Sequence, residues 1–149
     1  MGDRIQMNPS DSKMSTQKEW QEREAPMQSF SSYNGITVTK LEKDVAEGEL
    51  VITPQSLNSL GIVHGGCLAT LADTVAGNGV ASATGHMCIT VNYSFHFLNP
   101  ASGDGHKIYC RAIPQKIGRT LCLYEVSLTD DNGREVAAGS FTFFLKKPL

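Results

Sequence analysis

One segment of the chain has the hydrophobic periodicity of a buried helix. Over residues 66–84, apolar and small side chains recur at intervals of three and four positions: Leu68, Leu71, Ala72, Val75, Ala76 and Gly79. The segment is rich in Ala, Gly, Ser and Thr, and side chains of this size let other backbone approach closely. The pattern therefore predicts one helix of about 18 residues that is wrapped by sheet.

Alternation of apolar and polar residues predicts strands on both sides of this helix. Residues 36–41 and 46–52 form a predicted hairpin, and later strands cover 89–97, 107–113, 121–128 and 135–145. Thr90 is predicted to open the first of the later strands. Alternation places Thr90 and Asn92 on its polar face, looking toward a site, and buries the opposite apolar face.

The order of these elements predicts an α+β domain over residues 34–149. A hairpin, a long helix and four further strands give an antiparallel sheet of about six strands, and the single apolar helix is the element able to cover it. Residues 1–33 are polar, with acidic and basic side chains nearly balanced. They are expected to form a mobile arm or a short helix.

Composition and charge argue against several classes of protein. Hydrophobic residues are 40% and charged residues 19% of the 149-residue chain, which is typical of a globular domain. A net charge of −2 without a basic face argues against nucleic acid as a partner. No apolar run reaches the ~20 residues of a membrane span. Four cysteines without a C-x-x-C pair are expected to be reduced and buried, which favours a cytoplasmic location.

Asp73 is the one formal charge between Glu49 and Asp104, and it lies inside the predicted helix. A carboxylate among small and apolar side chains is costly to bury without a partner. A position on a solvated helix face, or a structural role in capping backbone groups, would also explain an aspartate at this position. Gly65 and Gly66 lie at the predicted start of the helix, where free N–H groups and the helix dipole favour a carbonyl or anionic oxygen.

The spacing between Gly65 and Asp73 constrains any site that uses both residues. Eight residues of helix span about 12 Å, which is too far for both to touch one reacting atom easily within one subunit. Two such helices packed antiparallel about a two-fold axis would bring Gly65 of one subunit next to Asp73 of the other. If both residues serve one reaction, the site is predicted to be shared in a symmetric dimer.

The region around the helix resembles hotdog-fold acyl-CoA thioesterases, in particular the phenylacetyl-CoA thioesterase-like branch. Six positions carry the resemblance, from the loop before the helix to the strand after it: Asn58, His64, Gly65, Gly66, Asp73 and Thr90. The similarity extends over roughly residues 36–145. It implies a curved antiparallel sheet around a central helix, an acyl-CoA substrate, and a homodimer or a dimer of dimers.

The chemistry of thioester hydrolysis narrows the possible mechanisms. The chain has no G-x-S-x-G motif and no clustered metal ligands, so a carboxylate mechanism without metal or cofactor is predicted. Asp73 would act as general base on water or as nucleophile, and both alternatives remain open. The Gly65 N–H, with Gly66 beside it, would polarise the thioester carbonyl.

Three further residues receive roles from the same resemblance. Asn58 and Thr90 would hold the attacking water. His64 would orient the loop or contact the thioester. The structural alternatives are an Asx turn at Asn58 and a hydrogen bond from His64 to the backbone.

A predicted turn carries the candidates for recognition of CoA. Lys116 and Arg119 flank Gly118 there, and the family often places basic residues in this turn. A basic pair in a turn is also common on a solvated surface.

Two other functions stay open at this stage. A hotdog hydratase or dehydratase acting on acyl-CoA or acyl carrier protein pairs a carboxylate with a catalytic His, and no His lies within two helical turns after Asp73. A non-catalytic acyl-CoA-binding hotdog protein would have no need for a buried carboxylate. Release of free thiol from a series of acyl-CoAs distinguishes these functions.

Overall fold

The computed structural model describes residues 29–149, and within that range six strands form one antiparallel sheet. Their order across the sheet is β1-β2-β4-β5-β6-β3, with these bounds: β1 Ile36–Glu42, β2 Val45–Val51, β3 His86–Phe97, β4 Lys107–Ile117, β5 Leu121–Asp130 and β6 Glu135–Pro148. A short helix α1 (Phe30–Tyr33) precedes β1, and a long helix α2 (Gly65–Thr84) follows β2 after a 3₁₀ turn at Pro54–Ser56. The predicted α+β hotdog architecture is confirmed.

The predicted N-terminal arm over residues 1–33 lies mostly outside the described range. Its described part includes α1, whose Ser31 Oγ lies 3.2 Å from Thr74 Oγ1 on α2. In residues 29–149, neither helix is long and apolar enough to cross a membrane.

Helix α2 lies against one face of the sheet, and each of the six strands contacts it. Its buried side consists of small and branched side chains at helical spacing: Cys67, Leu68, Leu71, Ala72, Val75, Ala76, Gly79 and Val80. The sheet contributes the larger buried side chains, among them Leu50, Ile108, Leu128 and Phe141. Helix and sheet share one close-packed core, which fixes the positions of the residues on the other side of α2.

Local sequence sets both ends of α2. His64 is the N-cap residue, and its Nδ1 accepts a hydrogen bond from the Gly66 N–H. Gly85 ends the helix with φ 67°, a left-handed conformation in which a residue without Cβ is favoured. The helix has 20 residues and starts one residue before the predicted range.

Two glycines allow α2 and β2 to approach each other closely. A Cβ on Gly48 would overlap Val75 Cγ2 and lie 2.8 Å from the Thr37 carbonyl oxygen. On the helix, a Cβ on Gly79 would lie 2.9 Å from the Cβ of Ala46. Neither position has room for a side chain.

Gly48→Ala is therefore expected to lower the free energy of unfolding by about 1–3 kcal/mol, because an added methyl group overfills this contact. Chemical denaturation of the variant and the wild type measures the difference. Ser82→Ala, on the exposed side of α2, is the control and should unfold like the wild type. Equal denaturation midpoints for Gly48→Ala and wild type would show that the contact is not close-packed.

Among residues 29–149, strand β3 lies at the edge of the sheet and pairs only with β6. It begins at His86, so the prediction that Thr90 opens the strand is wrong by four positions. The predicted burial of its apolar side chains is also wrong within residues 29–149, because four of them are 48–57% exposed: Ile89, Val91, Tyr93 and Phe97. An edge strand leaves one row of backbone groups and the adjoining side chains uncovered.

Candidate active site

The packing of β3 along α2 brings Asp73 and Thr90 together. Thr90 Oγ1 donates a hydrogen bond of 2.6 Å to Asp73 Oδ1. A hydroxyl–carboxylate bond of this length is charge-assisted and holds both side chains in one orientation. Within residues 29–149 no other hydrogen bond reaches the carboxylate, so Asp73 Oδ2 is available to a ligand or water.

A β-bulge at Val91 decides which side chains of β3 face this pair. Thr90 pairs with Phe143 and Asn92 pairs with Thr142, so Val91 is an extra residue without a partner on β6. Paired residues lie on the same face, and Phe143 is buried on the helix side. Thr90 therefore faces α2 and Asn92 faces away from it. The predicted placement of Asn92 beside Thr90 is wrong, because alternation does not continue through a bulge.

The start of α2 leaves one backbone N–H group free. The Cys67 and Leu68 N–H groups donate to the His64 carbonyl oxygen at 2.8 and 3.2 Å. The Gly66 N–H donates to His64 Nδ1 at 2.8 Å. The Gly65 N–H has no acceptor among the described residues, so it is the group at this helix end that a ligand can use.

His64 and Gly66 thus interact with each other at the helix start. The backbone hydrogen bond that was the structural alternative for His64 is present, and it occupies the Gly66 N–H. Because Nδ1 accepts this bond, the ring proton of the neutral imidazole lies on Nε2. His64 is exposed, so Nε2 remains able to donate to a bound molecule.

Aromatic side chains of β3 flank both groups of the site. Tyr93 stacks on Phe141 with ring centroids 4.9 Å apart, on the same face as Thr90. Phe97 lies over Gly65, where an added Cβ would be 3.2 Å from its ring. The apolar alternation of β3 indicated these aromatic residues but not their position beside the site. Their position depends on the bulge, and no sequence signal marks it.

Asn58 forms an Asx turn in the loop before α2. Its Oδ1 accepts hydrogen bonds from the Leu60 N–H at 2.9 Å and the Ile62 N–H at 3.4 Å. The structural alternative is therefore present, and the amide oxygen is occupied by its own loop. The two Nδ2 donors have no hydrogen-bond acceptor within residues 29–149.

The fold of the chain does not bring Gly65 and Asp73 together. Helix α2 is continuous between them, so the two residues are about 12 Å apart along its axis. Both are partly exposed. The Gly65 N–H and the Asp73–Thr90 pair are thus two separate groups along α2.

The side chains near Asp73 include a thiol that is not reactive. Cys88, two residues before Thr90, donates through Sγ to the Gly77 carbonyl oxygen at 3.4 Å. Burial raises the pKa of the Cys88 thiol to about 11, with smaller contributions from Cys122 and Asp73. The thiol stays protonated at neutral pH and is a poor nucleophile. In the described part of the chain, no group of three or more His, Cys, Asp or Glu is placed to hold a metal.

Gly118 and Arg119 lie in the turn between β4 and β5, as predicted, whereas the prediction for Lys116 is wrong because it lies within β4 and pairs with Leu123. The Gly118 N–H donates to the Leu121 carbonyl oxygen at 3.0 Å, and a Cβ on Gly118 would lie 2.7 Å from that oxygen. Gly118 is therefore required by the tight turn. Lys116 and Arg119 are exposed, and neither forms a salt bridge within residues 29–149.

The chain is similar to thioesterases over most of its described length. The family model described as thioesterase superfamily matches residues 60–137. 1,4-dihydroxy-2-naphthoyl-CoA thioesterase 2 of Arabidopsis thaliana is 26% identical over 123 residues, covering 77% of this chain and 78% of that protein. Acyl-coenzyme A thioesterase 13 of Mus musculus is 31% identical over 96 residues, covering 63% of this chain and 68% of that protein.

A solved structure shows the same similarity in three dimensions. The crystal structure of a hypothetical thioesterase protein with coenzyme A from Streptococcus pneumoniae TIGR4 matches with a TM-score of 0.76 at 26% identity. The match covers 85% of this chain and 97% of that one. The pattern of one helix against a six-stranded antiparallel sheet is therefore shared with that protein.

Proposed function

Because the chain belongs to the thioesterase superfamily and is a thioester hydrolase, we propose that it cleaves acyl- or aryl-coenzyme A to the free acid and CoA. The observation that carries this proposal is the 2.6 Å hydrogen bond that orients Asp73 through Thr90. Two of its relatives are named as CoA thioesterases, and a similar structure was solved with coenzyme A. These similarities support CoA as the thiol half of the substrate.

Asp73 supplies the base or the nucleophile in this proposal. As a base, its free oxygen takes a proton from water while the water oxygen bonds to the thioester carbon. The C–S bond then breaks, and the proton passes to the CoA sulfur. As a nucleophile, the carboxylate bonds to the carbonyl carbon, expels CoA thiolate and leaves a mixed anhydride that water cleaves. The two routes share the same orientation of Asp73.

Thr90 is a positioning residue in this mechanism. Its hydroxyl proton is donated to Asp73 Oδ1, so it cannot be donated to the attacking water at the same time. The hydroxyl oxygen keeps lone pairs with which it can accept a hydrogen bond from that water. Asn58 contributes through its two free Nδ2 donors, since its Oδ1 is held in the Asx turn.

The Gly65 N–H stabilises the negative charge that develops on the carbonyl oxygen. A preorganised backbone donor at a helix N-terminus costs no reorganisation during the reaction, and the helix dipole adds to its effect. His64 supports this group in two ways. Its Nδ1 holds the Gly66 N–H and so the shape of the helix start, and its Nε2 proton is available to the thioester.

Two subunits complete each site in this proposal. The Gly65 N–H and the Asp73–Thr90 pair of one subunit are about 12 Å apart, whereas an antiparallel pair of α2 helices brings Gly65 of one subunit to Asp73 of the other. The uncovered edge of β3 and its half-exposed apolar side chains support a homodimer at this edge. On the far face of the sheet, Leu121 is 46% and Ile113 is 41% exposed, which supports a dimer of dimers.

A cytoplasmic location belongs to the same proposal. All four cysteines are free, and three of them are buried. Free cysteines are typical of reducing compartments.

The test is release of free thiol from a series of acyl-CoAs and aryl-CoAs by the purified protein. We expect turnover of at least one member with kcat/KM in the range of enzymes, about 10⁴ M⁻¹s⁻¹ or more. Hydration of an enoyl-CoA with the thioester intact would instead identify a hydratase. Tight binding of every member without turnover would identify a binding protein.

A further inference from the structure

The chain immediately before Gly65 is fixed by hydrogen bonds to two other segments. The His64 N–H donates to the Ser56 carbonyl oxygen at 2.8 Å, in the loop that follows β2. The Val63 N–H donates to the Ala101 carbonyl oxygen, also at 2.8 Å, and both of these residues are buried. Because each peptide unit is planar, the direction of the Gly65 N–H follows the path of the residues that enter the helix. The position of Ala101 therefore contributes to that direction.

Ala101 belongs to the loop between β3 and β4, which is bonded to the rest of the protein near both of its ends. At its start, the Leu98 N–H donates to the Val136 carbonyl oxygen at 2.8 Å. At its other end, the Gly105 N–H donates to the Ile52 carbonyl oxygen at 2.8 Å. Ala101 lies between these two attachments, so a further contact is needed to fix the part of the loop that meets the start of α2.

Arg134 makes that contact from the end of the neighbouring turn. Its Nη2 donates to the Pro100 carbonyl oxygen at 2.6 Å, and this carbonyl belongs to the peptide unit that joins Pro100 to Ala101. On its other side, Arg134 Nε donates to Asp130 Oδ2 at 3.2 Å. A guanidinium group is planar and rigid, so it can bridge two acceptors in one geometry. Arg134 thus ties Ala101 to the turn between β5 and β6.

Asp130 is a fixed anchor for this arginine. Its Oδ1 accepts hydrogen bonds from the Asn132 N–H at 3.0 Å and the Arg134 N–H at 2.9 Å. The bond from the Arg134 backbone N–H is the main cause that lowers the pKa of the Asp130 carboxyl. The carboxylate is therefore ionised at neutral pH. The turn presents a charged acceptor in a defined position, which favours a charge-assisted bond to the guanidinium.

We propose that Arg134 is a positioning residue for the reaction, an inference that rests on the proposed function. It acts through Pro100, Ala101 and Val63, which lead to the start of α2. It thereby holds the Gly65 N–H in the direction of the thioester carbonyl oxygen. The Arg134 side chain is 52% exposed, and an exposed ion pair contributes little to the free energy of unfolding. Its effect on the reaction can therefore be measured separately from stability.

The first experiment measures kcat and KM of Arg134→Gln, with Arg111→Gln as the matched control. Arg111 also forms an exposed ion pair, at 2.7 Å with Glu47 between β2 and β4. In Arg134→Gln we expect kcat to fall about tenfold with KM little changed, because a misdirected N–H stabilises the oxyanion less but affects substrate binding little. The control should have wild-type values. Wild-type kinetics of Arg134→Gln, or a change in KM alone, would overturn the inference.

A second experiment tests whether the loss passes through the Gly65 N–H. Arg134→Gln is combined with Gly65→Pro, which lacks this N–H, and with Gly65→Ala, which retains it. We expect the tenfold loss to remain in the Gly65→Ala background and to disappear in the Gly65→Pro background, because changes that act on one group are not additive. A merely structural Arg134 would give equal losses in both backgrounds, which contradicts the proposal.

A variant of the anchor keeps the test usable if Arg134→Gln does not fold. Asp130→Asn retains an Oδ1 that can accept the two backbone hydrogen bonds of the turn, but its amide nitrogen cannot accept the bond from Arg134 Nε. We expect a smaller loss of kcat than in Arg134→Gln, again with KM little changed. Unchanged kcat in Asp130→Asn would show that the held guanidinium has no part in the reaction.

Amide hydrogen exchange makes the inference independent of turnover. In Arg134→Gln, the Val63 amide should exchange faster than in the wild type and in Arg111→Gln, whereas the Val75 amide in the middle of α2 should keep its rate. If the wild type hydrolyses no thioester but shows this pattern, the proposed function fails and the link from Arg134 to the helix start is retained. Unchanged exchange at Val63, or equally faster exchange at Val63 and Val75, would overturn the link itself.

Discussion

Asp73→Asn is expected to lower kcat by about 10²–10⁴-fold while KM changes little. Asparagine keeps the shape of the side chain, and its Oδ1 can still accept the Thr90 hydrogen bond. It cannot take a proton from water or form an anhydride, so the change removes the chemistry and retains the geometry. Steady-state kinetics on the best acyl-CoA substrate measures the effect, which would be larger still for a nucleophile.

Thermal unfolding of the same variant distinguishes catalysis from structure. A catalytic Asp73 has no salt bridge within residues 29–149, so its replacement should leave the unfolding temperature unchanged or higher. A structural Asp73 would give the reverse, a lower unfolding temperature with modest loss of activity. Asp104→Asn makes the same chemical change at an exposed loop position and is the control. Near-normal turnover by Asp73→Asn would end the catalytic assignment.

Gly65→Pro is expected to lower kcat by about 10²–10³-fold, because it removes the N–H proposed to stabilise the oxyanion. Proline is well tolerated at the first position of a helix, and His64 already has the extended conformation that precedes proline, with φ −62° and ψ 134°. Gly65→Ala is the matched control, since it adds the same Cβ against Phe97 but retains the N–H. Equal losses in both variants would assign the effect to the contact with Phe97.

The same variant tests whether two subunits share a site. Gly65→Pro and Asp73→Asn subunits, unfolded together and refolded, should form mixed dimers in which one of the two sites is intact. With random pairing, the mixture is expected to regain roughly a quarter of wild-type activity. Sites contained within one subunit would give no recovery, since every subunit in the mixture carries a defect. Full activity of a monomer in sedimentation would also contradict the shared site.

Periodicity alone was sufficient to predict the helix and the six strands. The spacing of Leu68, Leu71 and Val75 predicted the buried side of α2, and the structure has that side against the sheet. Periodicity does not predict the order of the strands or the exposure of their side chains, because both depend on which strand lies at the edge of the sheet. The apolar pattern of β3 was correctly recognised as a strand, but nothing in it indicates that, among residues 29–149, β3 has a neighbouring strand on one side only.

The sequence indicated which residues belong to the candidate site, but it did not indicate which of their atoms are free to bind a ligand. Asp73 and Thr90 were both indicated by the motif, and the structure joins them by a hydrogen bond. Which atoms of Asn58 and His64 stay free depends on loop conformation, and both side chains bond to their own backbone segment. The face on which Asn92 lies was predicted wrongly, because the one-residue bulge at Val91 reverses which side chains of β3 face α2. Nothing in the amino-acid sequence indicates this bulge.

The extra residue at Val91 also affects how relatives of this chain can be found. Thr90 and Asn92 pair with adjacent residues of β6, so a chain lacking Val91 would keep every later side chain on its present face. The number of residues between Asp73 and Tyr93 is then free to differ by one between homologues with the same site, whereas the interval from Asp73 to Thr90 is unchanged because Val91 follows Thr90. A motif search that demands a fixed interval from the aspartate to the aromatic residues of β3 would reject such a homologue, although an alignment with a gap at the bulge would recover it.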